Sequence, residues 1–287
     1  MTHPAFKPGA VAVITGGASG IGLAAAKSFL ALGLRVVIAD LGAQRLADAT
    51  EQLASHTRNG LNDIMAVETD VSDAESLVNL DAAVSERFGG TDVLMNNAGV
   101  QPGSSLFGPE SNWERVLNVN LWGVIRGTQA FVPGMIKRGR PGAVINTGSK
   151  QGITTPPGDP AYNVSKAGVK AFSEALQHEL RNTAGCNISA HLLIPGFVFT
   201  GLTARNRTEK PAAAWTPEET VAFMMDRLDA GDFYILCPDN DVPRSLDERR
   251  ILWAAEDIIE NRPPLSRWHP EYAEQFAAFV RGSDSAK

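Results

Sequence analysis

The chain has 287 residues, 44% of them hydrophobic, with 26 basic and 32 acidic side chains and a formal net charge of −6. That length and hydrophobic content suit a soluble α/β globule with a sizeable core, and the acidic balance supplies no positive field to gather nucleic acid. No apolar run approaches the ~20 residues that cross a bilayer, and Met1–Pro8 lacks the apolar core of a signal peptide.

Two cysteines, Cys186 and Cys237, make no disulfide framework, so a reducing cytoplasm is the expected setting. The five histidines, at 3, 56, 178, 191 and 269, show no metal-ligand spacing, and no metal is expected.

Short, nearly all-apolar runs alternate with longer amphipathic ones. In chain order the pattern predicts a strand at Val11–Thr15, a helix over about 20–33, a strand at Arg35–Ala39 and a helix over 43–57. A strand at Ile64–Val67, a helix over 73–88 and a strand at Val93–Met95 follow. One long helix is predicted over 111–138, then a strand at Ala143–Asn146, a helix over 160–183 and a strand at Ile188–Ile194. Asp159-Pro160 reads as an N-cap and first-turn pair for the helix that carries Tyr162. Gly201 to Pro217 is polar and irregular, a helix opens at Thr216-Pro217-Glu218-Glu219, and Phe233–Leu236 is the last strand. Strands without polar alternation are covered on both faces. The βαβα rhythm therefore predicts a parallel sheet with helices on both sides. The whole chain, 1–287, is read as one domain with a helical tail from about residue 239. Trp253, Trp268, Tyr272, Phe276 and Phe279 suggest that two tail helices dock on something.

The first strand runs into Gly16, Gly20 and Gly22, and a helix begins near Ile21. A phosphate needs backbone N–H groups pointing at it and side chains out of the way, and a helix N-terminus adds its positive dipole end. The strand–turn–helix context makes this a dinucleotide cradle. Asp40 ends the second strand, where a carboxylate accepts hydrogen bonds from adenosine ribose hydroxyls and repels a 2′-phosphate. No Lys or Arg occupies positions 16–20 or 41, and Arg45 lies in the next helix. NAD is expected over NADP. The plainer reading of Asp40 is a cap for the next helix.

Tyr162 and Lys166 are one helical turn apart, and Ser149 lies thirteen residues before the tyrosine. Oxidising an alcohol removes a proton as hydride leaves the carbon. A tyrosine with a pKa of about 10 is ionised in roughly one molecule in a thousand at neutral pH, and lowering the pKa by about three units takes about 4 kcal/mol. An ammonium at about 4 Å supplies that much at an effective dielectric of about 20, less the cost of burial. Lys166 shares the face of Tyr162. Ser149 can hold the substrate oxygen and stabilise developing charge.

Thr15-Gly16-xxx-Gly20-x-Gly22, Asn96-Asn97-Ala98-Gly99, Asn120, Ser149, Tyr162-xxx-Lys166 and Pro195-Gly196 occur in the order and spacing of the short-chain dehydrogenase/reductase family, and the chain resembles it over roughly residues 8–240. The resemblance implies a Rossmann-like, doubly wound parallel sheet of about seven strands, with Tyr162 as general acid/base. It implies that Lys166 also holds the nicotinamide ribose and that Asn120 positions a water in a proton relay; Asn120 merely bonding backbone is the alternative. Cofactor contacts are implied for Gly16, Ser19, Gly20, Ile21, Gly22, Asp40 and Asn97-Ala98-Gly99, the last also as a sheet-stabilising turn. Asp70-Val71 is implied to face the adenine, with a bare helix-cap role for Asp70 about equally supported. Pro195-Gly196-Phe197-Val198-Phe199-Thr200 is implied to meet the nicotinamide, the Val198 backbone and the Thr200 hydroxyl holding its carboxamide. Relatives assemble as dimers or tetramers through the helices that carry Asn120 and Tyr162, so a homodimer or homotetramer is expected. Trp122 and Phe172 belong either to that interface or to the core.

Two features depart from the family. Lys150 follows the candidate catalytic serine, pointing either to solvent or to an anionic substrate group. The tail closes the pocket, forms an interface or simply covers apolar surface. Ile153, Pro156, Phe197, Phe199, Leu202 and Trp215 are the candidate substrate wall, which implies a bulky, mostly apolar secondary alcohol or ketone. A dehydratase or epimerase of the same fold, and a non-catalytic dinucleotide-binding protein, are the alternatives to an NAD-dependent oxidoreductase.

Overall fold

The apolar runs pair side by side as seven parallel strands: β1 (Val11–Thr15), β2 (Arg35–Asp40), β3 (Ile64–Glu68), β4 (Val93–Asn96), β5 (Gly142–Thr147), β6 (Ile188–Ile194) and β7 (Tyr234–Leu236). They form one sheet in the order β3-β2-β1-β4-β5-β6-β7. The computed structural model describes residues 3–57, 59–204 and 207–282. The helices are α1 (Gly20–Ala31), α2 (Ala43–Ala54), α3 (Ala74–Phe88), α4 (Glu110–Leu117), α5 (Gly123–Arg138), α6 (Gln151–Thr154), α7 (Pro160–Asn182), α8 (Gly201–Ala204), α9 (Pro217–Asp229), α10 (Arg244–Ile259) and α11 (Ala273–Arg281).

Strand side chains alternate between faces, and here both faces are dry. Ala12, Ile14, Val36, Ile38, Met95 and Ile145 join one buried cluster with Ala25 and Phe29 of α1, Leu46 and Leu53 of α2 and Met224 of α9. Val11, Val13, Val37, Leu94 and Val144 join the other, with Leu77 and Leu80 of α3, Phe131 of α5 and Leu180 of α7. Each fully buried large side chain contributes about 1.5–3 kcal/mol. This is the doubly wound, Rossmann-like architecture the alternation predicted.

The predicted helix over 111–138 is interrupted. A π-helical turn, Asn118–Trp122, separates α4 from α5. Wide turns of this kind cluster at functional sites, and this one carries Asn120. The irregular stretch after β6 holds one helical turn, α8, and an isolated bridge from Val198 to Trp215. Residues 205–206 of that stretch lie outside the described residues. Among the described residues the tail forms α10 and α11, with two 3-10 turns, Ser266–Trp268 and Pro270–Tyr272, between them. Trp253 of α10 is buried, stacks edge-on to Phe276 and Phe279 of α11, and lies under the Arg262 guanidinium at 4.0 Å.

At the opposite end of β6 from its carboxyl edge, the N-terminal arm docks through a chain of polar contacts. His3 Nε2 lies 3.0 Å from Ser189 Oγ, which lies 2.8 Å from His191 Nε2. His191 Nδ1 is 2.8 Å from the Asp232 carbonyl, which only accepts, so Nδ1 carries the proton and Nε2 accepts from the serine. Burial, only partly offset by that hydrogen bond, pulls the His191 pKa from 6.5 to about 4. The folded state thus binds fewer protons than the unfolded chain between those values. Stability from neutral His191 is complete above the ordinary value of 6.5 and is lost as pH falls toward about 4; the loss is about 3 kcal/mol. Urea unfolding measured across this range should show that decline in the wild type and a flatter profile in His191→Gln. Equal slopes in the two proteins would remove His191 as the cause.

Candidate active site

The carboxyl ends of β1 and β4 mark the point where the chain's connections diverge to opposite sides of the sheet, the usual ligand crevice of such folds. A cleft of about 780 Å³ opens there. Of the catalytic and cofactor-contact residues expected from sequence, all but Gly22 and Asn120 line it.

The glycine turn follows β1. Gly16 and Gly20 have φ of +65° and +52°, the left-handed region that side chains disfavour. The Gly16 N–H donates to the Ala39 carbonyl at 2.8 Å, which fastens the turn to β2. Ser19 occupies the N-cap position of α1, but its side chain makes no capping bond, and no acidic residue stands in the first turn of α1. The helix N-terminus is therefore uncompensated toward the cleft, as an anion cradle requires. Gly22 corrects the sequence expectation. It packs beneath the turn, where a Cβ would run into the Gly16 carbonyl and the Asn97 amide. It shapes the cradle without lining it.

Asp40 Oδ2 accepts the Ala18 N–H at 3.1 Å, and Oδ1 accepts the Leu41 N–H at 2.8 Å. Arg45, expected to be remote in the next helix, reaches Oδ1 at 3.5 Å. Helix α2 starts only two residues after Leu41, which brings its first turn back over the strand end. Asp70 forms a local turn beside the cleft and does not cap the next helix. Oδ1 accepts from Ser72 N and Oγ at 2.8 and 2.7 Å, an Asx turn, and the residue also lines the cleft beside Val71. Asp73, not Asp70, caps α3.

Asn97 is a staple. Its amide donates to the carbonyls of Thr15 and Gly16 at 3.1 and 3.3 Å, and its Oδ1 accepts from Thr147 Oγ1 at 3.3 Å. The ends of β1, β4 and β5 are thus joined under Ala98 and Gly99.

Asn120 does not line the cleft. It is fully buried behind the loop after β4, where Oδ1 accepts the Val100 N–H at 2.8 Å and Nδ2 donates to the Val100 carbonyl at 2.9 Å. Those two bonds hold the Asn97–Val100 loop against the π turn. Nδ2 also lies 3.4 Å from Ser165 Oγ of α7.

Tyr162 and Lys166 project from α7 into the cleft, and Ser149 faces them from the loop after β5. The Tyr162 ring packs on Val116 and Trp113 of α4. The Ser149 hydroxyl accepts the Gln151 N–H at 3.1 Å. The electrostatics differ from the sequence expectation. Burial pushes the Tyr162 phenol up to about 12; a hydrogen bond with Ser149 opposes this and the Asp159 carboxylate adds to it. Burial pulls the Lys166 ammonium down to about 8. Nζ is 5.7 Å from the Tyr162 ring centre and donates to the Thr147 carbonyl at 2.8 Å. Desolvation is the largest influence on the phenol, which is neutral and ready to donate. Asp159 makes no capping bond to α7; it takes Ser104 Oγ at 2.5 Å and Gln101 Nε2 at 3.2 Å, latching the loop after β4 to the start of α7.

The apolar wall is thinner than expected. Of its six candidates, Leu202 lines the cleft. Ile153 packs into the buried cluster of Val124, Val169 and Leu192, and Trp215 stacks against Phe223 of α9. Phe172, left open between interface and core, packs into that same cluster, and Trp122 is 47% exposed. Gln101, Pro102, Arg115, Thr147 and Thr203 also line the cleft and were not singled out. They sit in loops, on helix faces or, for Thr147, at the end of β5, with no local motif. Lys150 points neither to solvent nor to substrate: Nζ lies 2.6 Å from Asp247 Oδ2 and 3.2 Å from Asp239 Oδ2. Among the described residues no group of three or more His, Cys, Asp or Glu could hold a metal, and no helix is long and apolar enough to cross a membrane.

A parallel seven-stranded sheet with a glycine cradle at its switch point, and a Ser–Tyr–Lys group beside it, defines a nucleotide-dependent oxidoreductase fold. A family model described as short chain dehydrogenase matches residues 10–211, and the chain belongs to the short-chain dehydrogenase/reductase family, whose members act on CH–OH groups. It is 33% identical over 226 residues to the 3-oxoacyl-(acyl-carrier-protein) reductase FabG of Thermotoga maritima, covering 78% of this chain and 85% of the relative. It is 35% identical over 199 residues to the 2,5-dichloro-2,5-cyclohexadiene-1,4-diol dehydrogenase LinX of Sphingobium indicum, covering 68% and 76%. The crystal structure of a short-chain dehydrogenase/reductase from Burkholderia phymatum in complex with NAD superposes with a TM-score of 0.80 at 30% identity, over 92% of this chain and 98% of that one.

Proposed function

We propose that the protein interconverts a secondary alcohol and its ketone with NAD as cofactor, and that the substrate is bulky and largely apolar. The observation that carries this reading is the convergence of Ser149, Tyr162 and Lys166 on the same cleft as the glycine turn and Asp40.

The residues present suit a dinucleotide. The turn Gly16–Ile21 would take the pyrophosphate on its N–H groups, Asp40 the adenosine ribose, and Asp70 and Val71 the adenine side. Ala98 and Gly99 bring bare backbone to the cleft, Lys166 would hold the nicotinamide ribose, and Val198 and Thr200 would hold the carboxamide. The Val198 carbonyl already accepts the Thr203 hydroxyl at 2.5 Å, which fixes that segment. When bound, the nicotinamide supplies or accepts the hydride.

The protein's own part is the proton. In reduction, the Tyr162 hydroxyl donates to the carbonyl oxygen while Ser149 holds that oxygen in line. In oxidation the phenol oxygen takes the alcohol proton back. Lys166, protonated below about pH 8, stabilises whatever negative charge gathers on the phenol.

Asp40 supports NAD, and the relative from Burkholderia phymatum was crystallised with it. Val100, Pro102 and Leu202 on the cleft wall, with Leu106 and Phe107 71% and 99% exposed on the same loop, support an apolar substrate. So does the carbocyclic diol in the name of the Sphingobium relative. Exposed Trp122 and Val164, on the helices that carry Asn120 and Tyr162, support assembly as a homodimer or homotetramer.

The test is NAD⁺ reduction across a panel of secondary alcohols. Bulky aryl and alicyclic alcohols should turn over fastest. A panel in which small polar hydroxy acids win would remove the substrate class, and no turnover with any alcohol would remove the reaction.

A further inference from the structure

Lys150 is the residue that departs from the family beside the serine, and the tail is the segment that departs beyond the last strand. The structure joins the two. Lys150 Nζ lies 3.2 Å from Asp239 Oδ2 and 2.6 Å from Asp247 Oδ2, and the three side chains are 18%, 7% and 5% exposed. Asp239 follows β7, and Asp247 stands in the first turn of α10.

The same Asp239 oxygen accepts the Phe197 N–H at 3.2 Å. The Lys150 N–H donates to the Pro195 carbonyl at 3.4 Å, and the Gln151 N–H donates to Ser149 Oγ. A Cβ on Gly196 would lie 2.6 Å from Asp239 Oδ2 and 2.9 Å from Lys150 Nζ, so only glycine lets this network sit against the segment. A Cβ on Gly152 of α6 would lie 2.5 Å from the Lys166 carbonyl, so the turn after Lys150 packs backbone to backbone on the catalytic helix.

We propose that Lys150 is a positioning residue. Clamped between Asp239 and Asp247, it fixes the Ser149 loop and the Pro195–Thr200 segment to each other through the C-terminal tail, which is thereby part of the catalytic apparatus. Lys150 touches neither substrate nor cofactor. It acts on the register between the hydroxyl that orients the substrate oxygen and the segment bordering the nicotinamide end. A largely buried ammonium between two buried carboxylates suits that task, because moving it strands carboxylate charge away from water. The inference rests on the dehydrogenase reading of the site.

The test uses full-length Lys150→Met and Lys150→Met/Asp247→Asn. Lys150→Met leaves two buried carboxylates unpaired and lowers the thermal midpoint; the double variant removes one of those charges and recovers part of it. In both, kcat should fall about tenfold or more, as expected for a misplaced reacting group, while KM and the NADH dissociation constant stay within about threefold of wild type. Hydrogen exchange should quicken at the Phe197 amide and over residues 148–154. A folded double variant with wild-type kcat would overturn the proposal, as would kcat that recovers in step with the thermal midpoint. If the wild type oxidises no alcohol, the parent reading fails instead, and the exchange rates decide the clamp by themselves: unchanged exchange overturns it.

Discussion

Tyr162→Phe is expected to lower kcat by about 10³-fold, within the range general acid/base groups supply, while NADH binds within about twofold of wild type. The phenyl ring keeps its packing on Trp113 and Val116, and only the hydroxyl, with its Ser149 partner, is lost. One such bond is worth about 1 kcal/mol of stability, so the variant should fold. The wild-type pH profile carries the sign of the pKa shift. Burial raises the Tyr162 pKa from 10.0 to about 12, so the neutral phenol persists across the neutral and mildly alkaline range. Reduction, which uses the neutral form, should be flat there; oxidation, which needs the base, should climb with pH. Single-turnover rates in both directions, with NADH fluorescence titration, check this. Wild-type kcat in the Phe variant would end the acid/base assignment, and oxidation flat with pH would mean that the cofactor complex resets the phenol's environment.

Asp40→Ala is expected to move the ratio of NADH to NADPH dissociation constants by about 100-fold toward NADPH. Loss of the carboxylate removes hydrogen bonds from ribose hydroxyls to a charged acceptor, each worth about 1.5–3 kcal/mol, or roughly tenfold or more in affinity. It also removes the charge that repels a 2′-phosphate. Arg45, now 3.5 Å from Asp40 Oδ1, loses its partner and becomes free to meet that phosphate. Asp40→Ala/Arg45→Ala should therefore keep the loss for NADH and forfeit the gain for NADPH. An unchanged ratio in Asp40→Ala would mean that the carboxylate does not touch the ribose. An unchanged gain in the double variant would assign it to the lost repulsion alone.

Much of the fold was legible because parallel strands buried on both faces are written as uninterrupted apolar runs, and each of the seven lies within a residue or so of its predicted bounds. The glycine turn was legible because left-handed backbone at Gly16 and Gly20 demands that residue type. Tyr162 and Lys166 were legible through helical spacing, which brings positions four apart onto one face before any tertiary contact forms.

Other features lie beyond local pattern. The π turn at Asn118–Trp122 interrupts the predicted helix over 111–138 at a point that holds neither glycine nor proline, and its companion bonds are to Val100, twenty residues away. Ile153 and Trp215 carry the composition of a pocket wall, but neighbours distant in sequence draw them into the core. Lys150 meets its carboxylates 89 and 97 positions later, a pairing that no spacing encodes. The sequence alone thus settled the elements, the glycine turn and the shared helix face of Tyr162 and Lys166, because short-range backbone preferences and periodicity are properties of local chain. Tertiary structure alone decided the protonation of Tyr162 and Lys166, the reach of Arg45 and the tie between tail and serine loop. Those depend on how much water is excluded and which charges meet, and both are set only when remote segments pack.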